Sequence, residues 1–282
     1  MWVPLRKGKR AGPVSAAAIH HSARFPSPVF KLLRIFVLLV VLAGVAWATW
    51  STRQRTTSWQ YPLRVAVFPI DADGSPGTQR YIRSLRVETF QPIAEFMRQE
   101  ARRYGLALAS PVQMYLGPQI PRMPPPPPFG GSVPQVMLWS LQMRFWAWMH
   151  ATLDPKPHVR MFVLYHDPQR VARVAHSLGL QKGLIGVVNA FASEAQTAQN
   201  NVVIAHELLH TVGATDKYDP RSNQPSFPDG YAEPDRQPLY PQEYAEIMAG
   251  RIAIGETEAE IPSGLPQVLI GAKTAREINW IR

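Results

Sequence analysis

The sequence predicts an α+β domain built on a mixed, twisted sheet and preceded by a membrane-directed N-terminus. Three observations carry this expectation. Short apolar strand patterns alternate with helical ones as far as about residue 212. A proline-rich, irregular stretch with one closing helix follows. An uncharged, mostly apolar run fills residues 35–50 behind a basic lead. The organisation expected is a basic cytoplasmic segment at 1–34, a transmembrane anchor or signal sequence at 35–50, a polar tether at 51–60 and one domain at 61–282. That domain is long enough to bury a substantial core.

The first element is the apolar run. Its 16 residues would extend roughly 24 Å as a helix, a little under a bilayer core. Leu32, Leu33 and a snorkelling Arg34 can lengthen it. Basic residues lie ahead of it and only Arg53 and Arg55 follow closely, which orients the N-terminus to the cytoplasm. We take the segment as a retained single-pass inner-membrane anchor with the domain extracytoplasmic. The alternative is cleavage after Ala48, where Ala46-Trp47-Ala48 has a small-x-small pattern; the product would be periplasmic or secreted. Residues 1–60 hold nine Lys and Arg and no acid, of a chain total of 30 basic and 20 acidic residues. The other 222 residues therefore carry 21 basic and 20 acidic side chains, a net of +1. The basicity belongs to the leader, which argues for membrane orientation and against nucleic-acid binding. The chain has no cysteine, so disulfides and thiolate metal sites are excluded.

Within the domain, Arg64 to Ile70 reads as a strand closed by the turn Asp71-Ala72-Asp73-Gly74. Leu85 to Tyr104 reads as an amphipathic helix with Val87, Phe90, Ile93, Phe96 and Met97 on one side. Leu106 to Leu116 is a second strand interrupted at Pro111. Pro121 to Pro134, with five prolines at 124–128, is an extended polyproline spacer or exposed loop. Gln135 to Leu153 is a helix whose large apolar residues are expected to be core. Val159 to Tyr165 and Leu184 to Phe191 are strands, with a short helix or loop at Gln169 to Ser177 between them. A helix from about Ala195 to Val212 follows, then a proline-rich loop at 217–241 suited to a site wall, and a closing helix at Gln267 to Ile281.

The helix at 195–212 carries the chemistry. It contains His206-Glu207-Leu208-Leu209-His210, an HExxH motif followed by Gly213 and Asp216. Two histidines four apart project from one helix face and can share one metal ion. Glu207 can reach a water on that metal without being a ligand. Catalytic zinc takes three protein ligands and keeps one position open. We take Asp216 as the third ligand, because Gly213 allows the helix to stop and the chain to turn back. The alternatives are Asp219 or, as in thermolysin-like enzymes, a glutamate on a later helix: Glu233, Glu243 or Glu246. Prolines between residues 220 and 241 break up any helix that would present such a glutamate early.

The segment HELLHTVGATD resembles the zinc signature of the metzincin metallopeptidases, in which HExxHxxGxxH supplies three histidines. Here the last position is Asp216, as in snapalysin-type members. Glu246-Ile247-Met248-Ala249-Gly250 resembles the family's methionine turn, with Met248 as the turn residue. The resemblance covers roughly residues 184–282. It implies a zincin domain with a sheet and two or three helices above the cleft, and the methionine turn and last helix below. It also implies that a sheet-edge strand ahead of the motif helix pairs with extended substrate; Leu184 to Phe191 is the matching segment. Many members place a transition-state-stabilising tyrosine two residues after the methionine. That position is Gly250 here, leaving Tyr218, Tyr231, Tyr240 and Tyr244 as candidates.

The function expected is therefore a zinc-dependent endopeptidase acting on peptide or protein substrates, with His206, His210 and Asp216 holding Zn²⁺ and Glu207 as general base. A carboxylate ligand should leave the metal a weaker acid than three histidines would. Two other classes remain open: a zinc site that only clips the fold, and a membrane-tethered interaction protein using the polyproline loop and the aromatic helix. Glu207 argues against the first, since a structural site has no use for a base.

Overall fold

A computed structural model of the chain describes residues 32–40, 44, 47, 57–128, 130–180 and 183–282. The basic lead before residue 32, most of the apolar run beyond residue 40, the Ala48 cleavage position and the tether up to residue 56 lie outside the described residues. The chain divides into two units, Met1–Trp47 and Ala48–Arg282. In the first, residues 32–40 are helical and exposed. Among the described residues, no helix is long and apolar enough to cross a membrane.

The second unit is a mixed α+β domain. Its five-stranded sheet comprises β1 (Leu63–Asp71), β2 (Val112–Leu116), β3 (Val159–His166), β4 (Leu178–Leu180) and β5 (Ile185–Phe191), in the order β2-β1-β3-β5-β4. All neighbours are parallel except β4, which runs antiparallel along β5 with Leu178 opposite Val187. The β1 sequence LRVAVFPID is apolar on both sides of the pleat, as expected of a central parallel strand covered on both faces. Val65, Val67, Met161 and Val163 face one core. Ala66, Phe68, Phe162 and Leu164 face another.

The first core is closed by α1 (Pro76–Ser84), α2 (Gln91–Arg103) and α4 (Thr197–Val212). Helix α1 went unpredicted, although Ser75 caps it through Thr78 N and Pro76 opens it. The helix expected at 85–104 is split: a 3-10 turn at Val87–Phe90 precedes α2, because Pro92 has to sit in a first helical turn. Among the described residues, the helix that closes the second core is α3 (Val133–His150), with Ile120 packed beside it. Here an expectation fails. Only Trp139, Met143 and Ala147 of α3 are buried, one stripe at four-residue spacing. The helix is the outermost layer on its face of the sheet, so its other large apolar residues lie on the surface.

Past α4 the chain forms small pairings: β6 (Ala245–Glu246) with β9 (Val268–Leu269), and β7 (Ile252–Ala253) with β8 (Ala259–Glu260). The closing helix is shorter than expected, α5 at Ala272–Glu277. Val268 and Leu269 are spent on pairing β6, and Asn279 takes a left-handed conformation just past the helix. At the other end, Thr57 and Trp59 of the expected tether are buried. The Trp59 indole donates to Ile278 O at 2.7 Å and packs edge-on against Trp280.

Candidate metal centre and cleft

Helix α4 lies against β5 and β4 and ends at Gly213, whose φ of 118° puts it in the left-handed region. Gly213 N and Ala214 N both return to Leu209 O, which turns the chain back toward the helix. Asp216 is thereby brought beside the two histidines. His206 Nε2 and His210 Nε2 are 3.0 Å apart, and Asp216 Oδ1 lies 3.2 and 3.1 Å from them. Among the described residues these three form a group whose ligand atoms all fall within 4.8 Å of one another.

The far side of each imidazole fixes what the near side presents. His206 Nδ1 meets Ile247 O and His210 Nδ1 meets Ala214 O, each at 2.8 Å. A carbonyl oxygen only accepts, so both Nδ1 atoms donate, and in the neutral rings both Nε2 atoms carry lone pairs. Two lone pairs and a carboxylate oxygen thus converge with no hydrogen of their own between them. That is the donor set of a divalent cation, and ring N–H groups held by main-chain carbonyls are the usual outer support of metal-binding histidines. Burial opposes charge on His206, but Asp216, Glu207 and Ile247 O outweigh it and hold its pKa above the ordinary value. Burial acts to raise the Asp216 pKa, yet the two imidazoles hold it well below the usual carboxylate range.

Glu207 is buried, and its Oε2 has no hydrogen-bond partner among the described residues. Burial pushes its pKa up, with the nearby imidazoles partly opposing. Gly179, in the middle of β4, explains how closely the sheet edge approaches it. A Cβ there would lie 2.5 Å from His210 Cβ, 2.7 Å from Glu207 O and 3.1 Å from Glu207 Oε2. The edge strand is therefore β4, not the segment Leu184 to Phe191, which sits one strand further in.

The Met248 segment supports His206 from below. Ile247 O takes the His206 N–H, and Met248 O takes Lys217 N at 3.0 Å. Met248 itself is fully buried in the core that α4 shares. The turn is held by Glu246, which is 0% exposed. Its Oε2 accepts from Met248 N and Ala249 N, and its Oε1 from Gly271 N and Thr274 Oγ1. Burial raises the Glu246 pKa against the pull of those donors. Glu246 is thus a brace between the turn and α5. The other alternative ligands are equally engaged elsewhere: Asp219 caps Arg221 N, while Glu233 and Glu243 pair with Arg236.

The strand of chain that delivers Asp216 has its own clamp. Glu277 of α5 accepts from Thr215 N at 2.9 Å, Thr215 Oγ1 at 2.8 Å and Lys217 Nζ at 2.8 Å. Lys217 is buried. Burial works against the Glu277 charge, but Lys217 and Thr215 hold its pKa below the ordinary value. No sequence signal marked this pair, since neither residue belongs to a motif.

A cavity of about 390 Å³ opens beside the cluster, lined by His206, Glu207, Tyr218, Phe191, Asn189 and Arg251 among others. Of the four tyrosines considered, Tyr218 is in its wall, while Tyr231 and Tyr240 hydrogen-bond each other at 2.7 Å. Burial and the charges of Asp216 and Glu207 raise the Tyr218 pKa, so it stays a donor. No protein-family model matches the chain, and no curated protein matches it either.

Proposed function

We propose that this chain is a zinc-dependent metalloendopeptidase of metzincin-like type, held at a membrane by residues 35–50 with its domain extracytoplasmic. One observation carries the reading: a buried carboxylate oxygen with no hydrogen-bond partner among the described residues, Glu207 Oε2, stands on the helix that presents two of the three converging metal donors. His206, His210 and Asp216 would hold the ion; Zn²⁺ when bound supplies Lewis acidity toward a water and a peptide carbonyl. Glu207 takes the proton of the attacking water and passes it to the departing amine. The Tyr218 hydroxyl is available to donate toward the oxygen on which negative charge develops. The cavity beside the motif helix, lined by Asn189 and Phe191 together with His206 and Glu207, gives a peptide room next to the metal donors.

The layout supports the finer assignment. A sheet with α2 and α4 on one face, an edge strand ahead of the motif helix, a tight turn at Met248 beneath His206 and a last short helix follow the order the resemblance implies. The test is zinc analysis of the purified chain together with cleavage of casein or a peptide library. About one zinc per chain with chelator-sensitive cleavage is expected. Zinc without cleavage would reduce the site to a structural clip, and neither would leave an interaction protein.

A further inference from the structure

We propose that the outer face of α3 docks on an anionic lipid surface, so that the domain lies against the bilayer instead of hanging free from its anchor. The inference rests on the reading that residues 35–50 stay in the membrane.

Four observations converge. First, α3 exposes Met137 at 63%, Leu141 at 61%, Phe145 at 58% and Trp148 at 69%, with Leu138 and Met149 beside them. A helix apolar nearly all round, yet covered by protein on one stripe only, presents far more apolar surface than a free domain needs. The Phe145 and Trp148 rings stack at 5.9 Å, and aromatic rings of this kind favour the interfacial zone of a bilayer. Second, no Asp or Glu occurs between Glu100 and Asp154, while Arg122 and Arg144 flank and enter the helix. The face meets a negative surface without repulsion.

Third, the tether enters the domain at the end of the sheet to which the C-terminal end of α3 leads. Strands β1 and β3 are parallel with Val65 opposite Val159, and His158 N donates to Arg64 O. The start of β1, where the tether enters, and the start of β3, which α3 leads into, therefore lie at the same end of the sheet. Fourth, the tether is short. The apolar run ends at residue 50 and Thr57 is already packed in the domain, leaving six residues between. Six residues span at most about 20 Å.

The absence of cysteine gives a clean test. Single variants Val40→Cys, Leu141→Cys, Trp148→Cys and Ser222→Cys of the full chain are spin-labelled and reconstituted in phosphatidylethanolamine–phosphatidylglycerol vesicles. Accessibility to oxygen and to a water-soluble nickel chelate is then measured. Lipid-type accessibility is expected at 40, 141 and 148 and water-type at 222, with 141 and 148 becoming more watery in pure phosphatidylcholine. Water-type accessibility at 141 and 148 with lipid at 40 overturns the docking and leaves the anchor standing. Water at all positions overturns both. Spin–spin broadening at 141 that dilution with unlabelled chain removes would assign the face to a second copy and overturn the lipid proposal.

Discussion

Removing the Glu277 carboxylate should loosen the metal centre from a distance. In Glu277→Ala, Lys217 stays buried with its charge and keeps only Thr215 as partner, while Thr215 N and Oγ1 lose their acceptor. Breaking a buried ion pair by deleting one member costs about 3–5 kcal/mol. Glu277 retains some solvent contact, with a side-chain exposure of 18%, so the lower end applies, about 3 kcal/mol. For a domain of this length that corresponds to a melting temperature lowered by roughly 6–12 °C. Because Asp216 lies between the two clamped residues, zinc affinity should fall in the same variant by roughly tenfold or more. Replacing both partners, Lys217→Met with Glu277→Met, should recover most of the stability, since no charge is then stranded. Thermal melts and a competitive zinc titration read both effects. A Glu277→Ala protein that melts as the wild type and binds zinc as tightly would refute the idea that this pair positions Asp216.

Asp216→Ala removes one of three ligands, so its zinc affinity should drop by more than roughly 100-fold, whereas Glu246→Ala should keep zinc coordination but melt lower; stoichiometric zinc with full activity in Asp216→Ala would remove Asp216 from the ligand set. Gly179→Ala drives a Cβ into His210 Cβ and Glu207 O, so we expect about 1–3 kcal/mol of destabilisation and slower cleavage. Wild-type stability there would mean that β4 can move aside freely. The Glu277 pKa is depressed in the fold, so its stabilisation is complete above its unfolded value near pH 4.3 and is lost as pH falls through the folded value. The stability gap between wild type and Glu277→Gln should therefore shrink in urea titrations carried below about pH 4; a gap that widens on acidification contradicts the assignment.

The sequence carried the central strands and the motif helix well, because both are written locally. Uninterrupted apolar residues in Leu63–Asp71 and Val159–His166 mark covered parallel strands, and the HExxH spacing with Gly213 and Asp216 marks a turn of helix and its reversal. What it missed depends on partners distant in the chain. Whether α3 is core or surface turns on how many layers lie outside it, which periodicity does not encode. The three-residue strand β4 is too short to show a pattern, so the resemblance points to the segment Leu184 to Phe191 as the edge where the fold has β4. Glu246 was legible as a carboxylate but not as a brace, because its four donors come from two segments that meet only in the fold.

The most direct test of the account is the rate of cleavage of an unstructured protein by Glu207→Gln, measured beside zinc per chain and melting temperature. Glu207 is not a member of the three-residue ligand group, and its Oε2 has no hydrogen-bond partner among the described residues. The account therefore predicts unchanged zinc, near-unchanged melting and a rate lowered roughly 10²–10⁴-fold or more. Cleavage at the wild-type rate with zinc in place would contradict it.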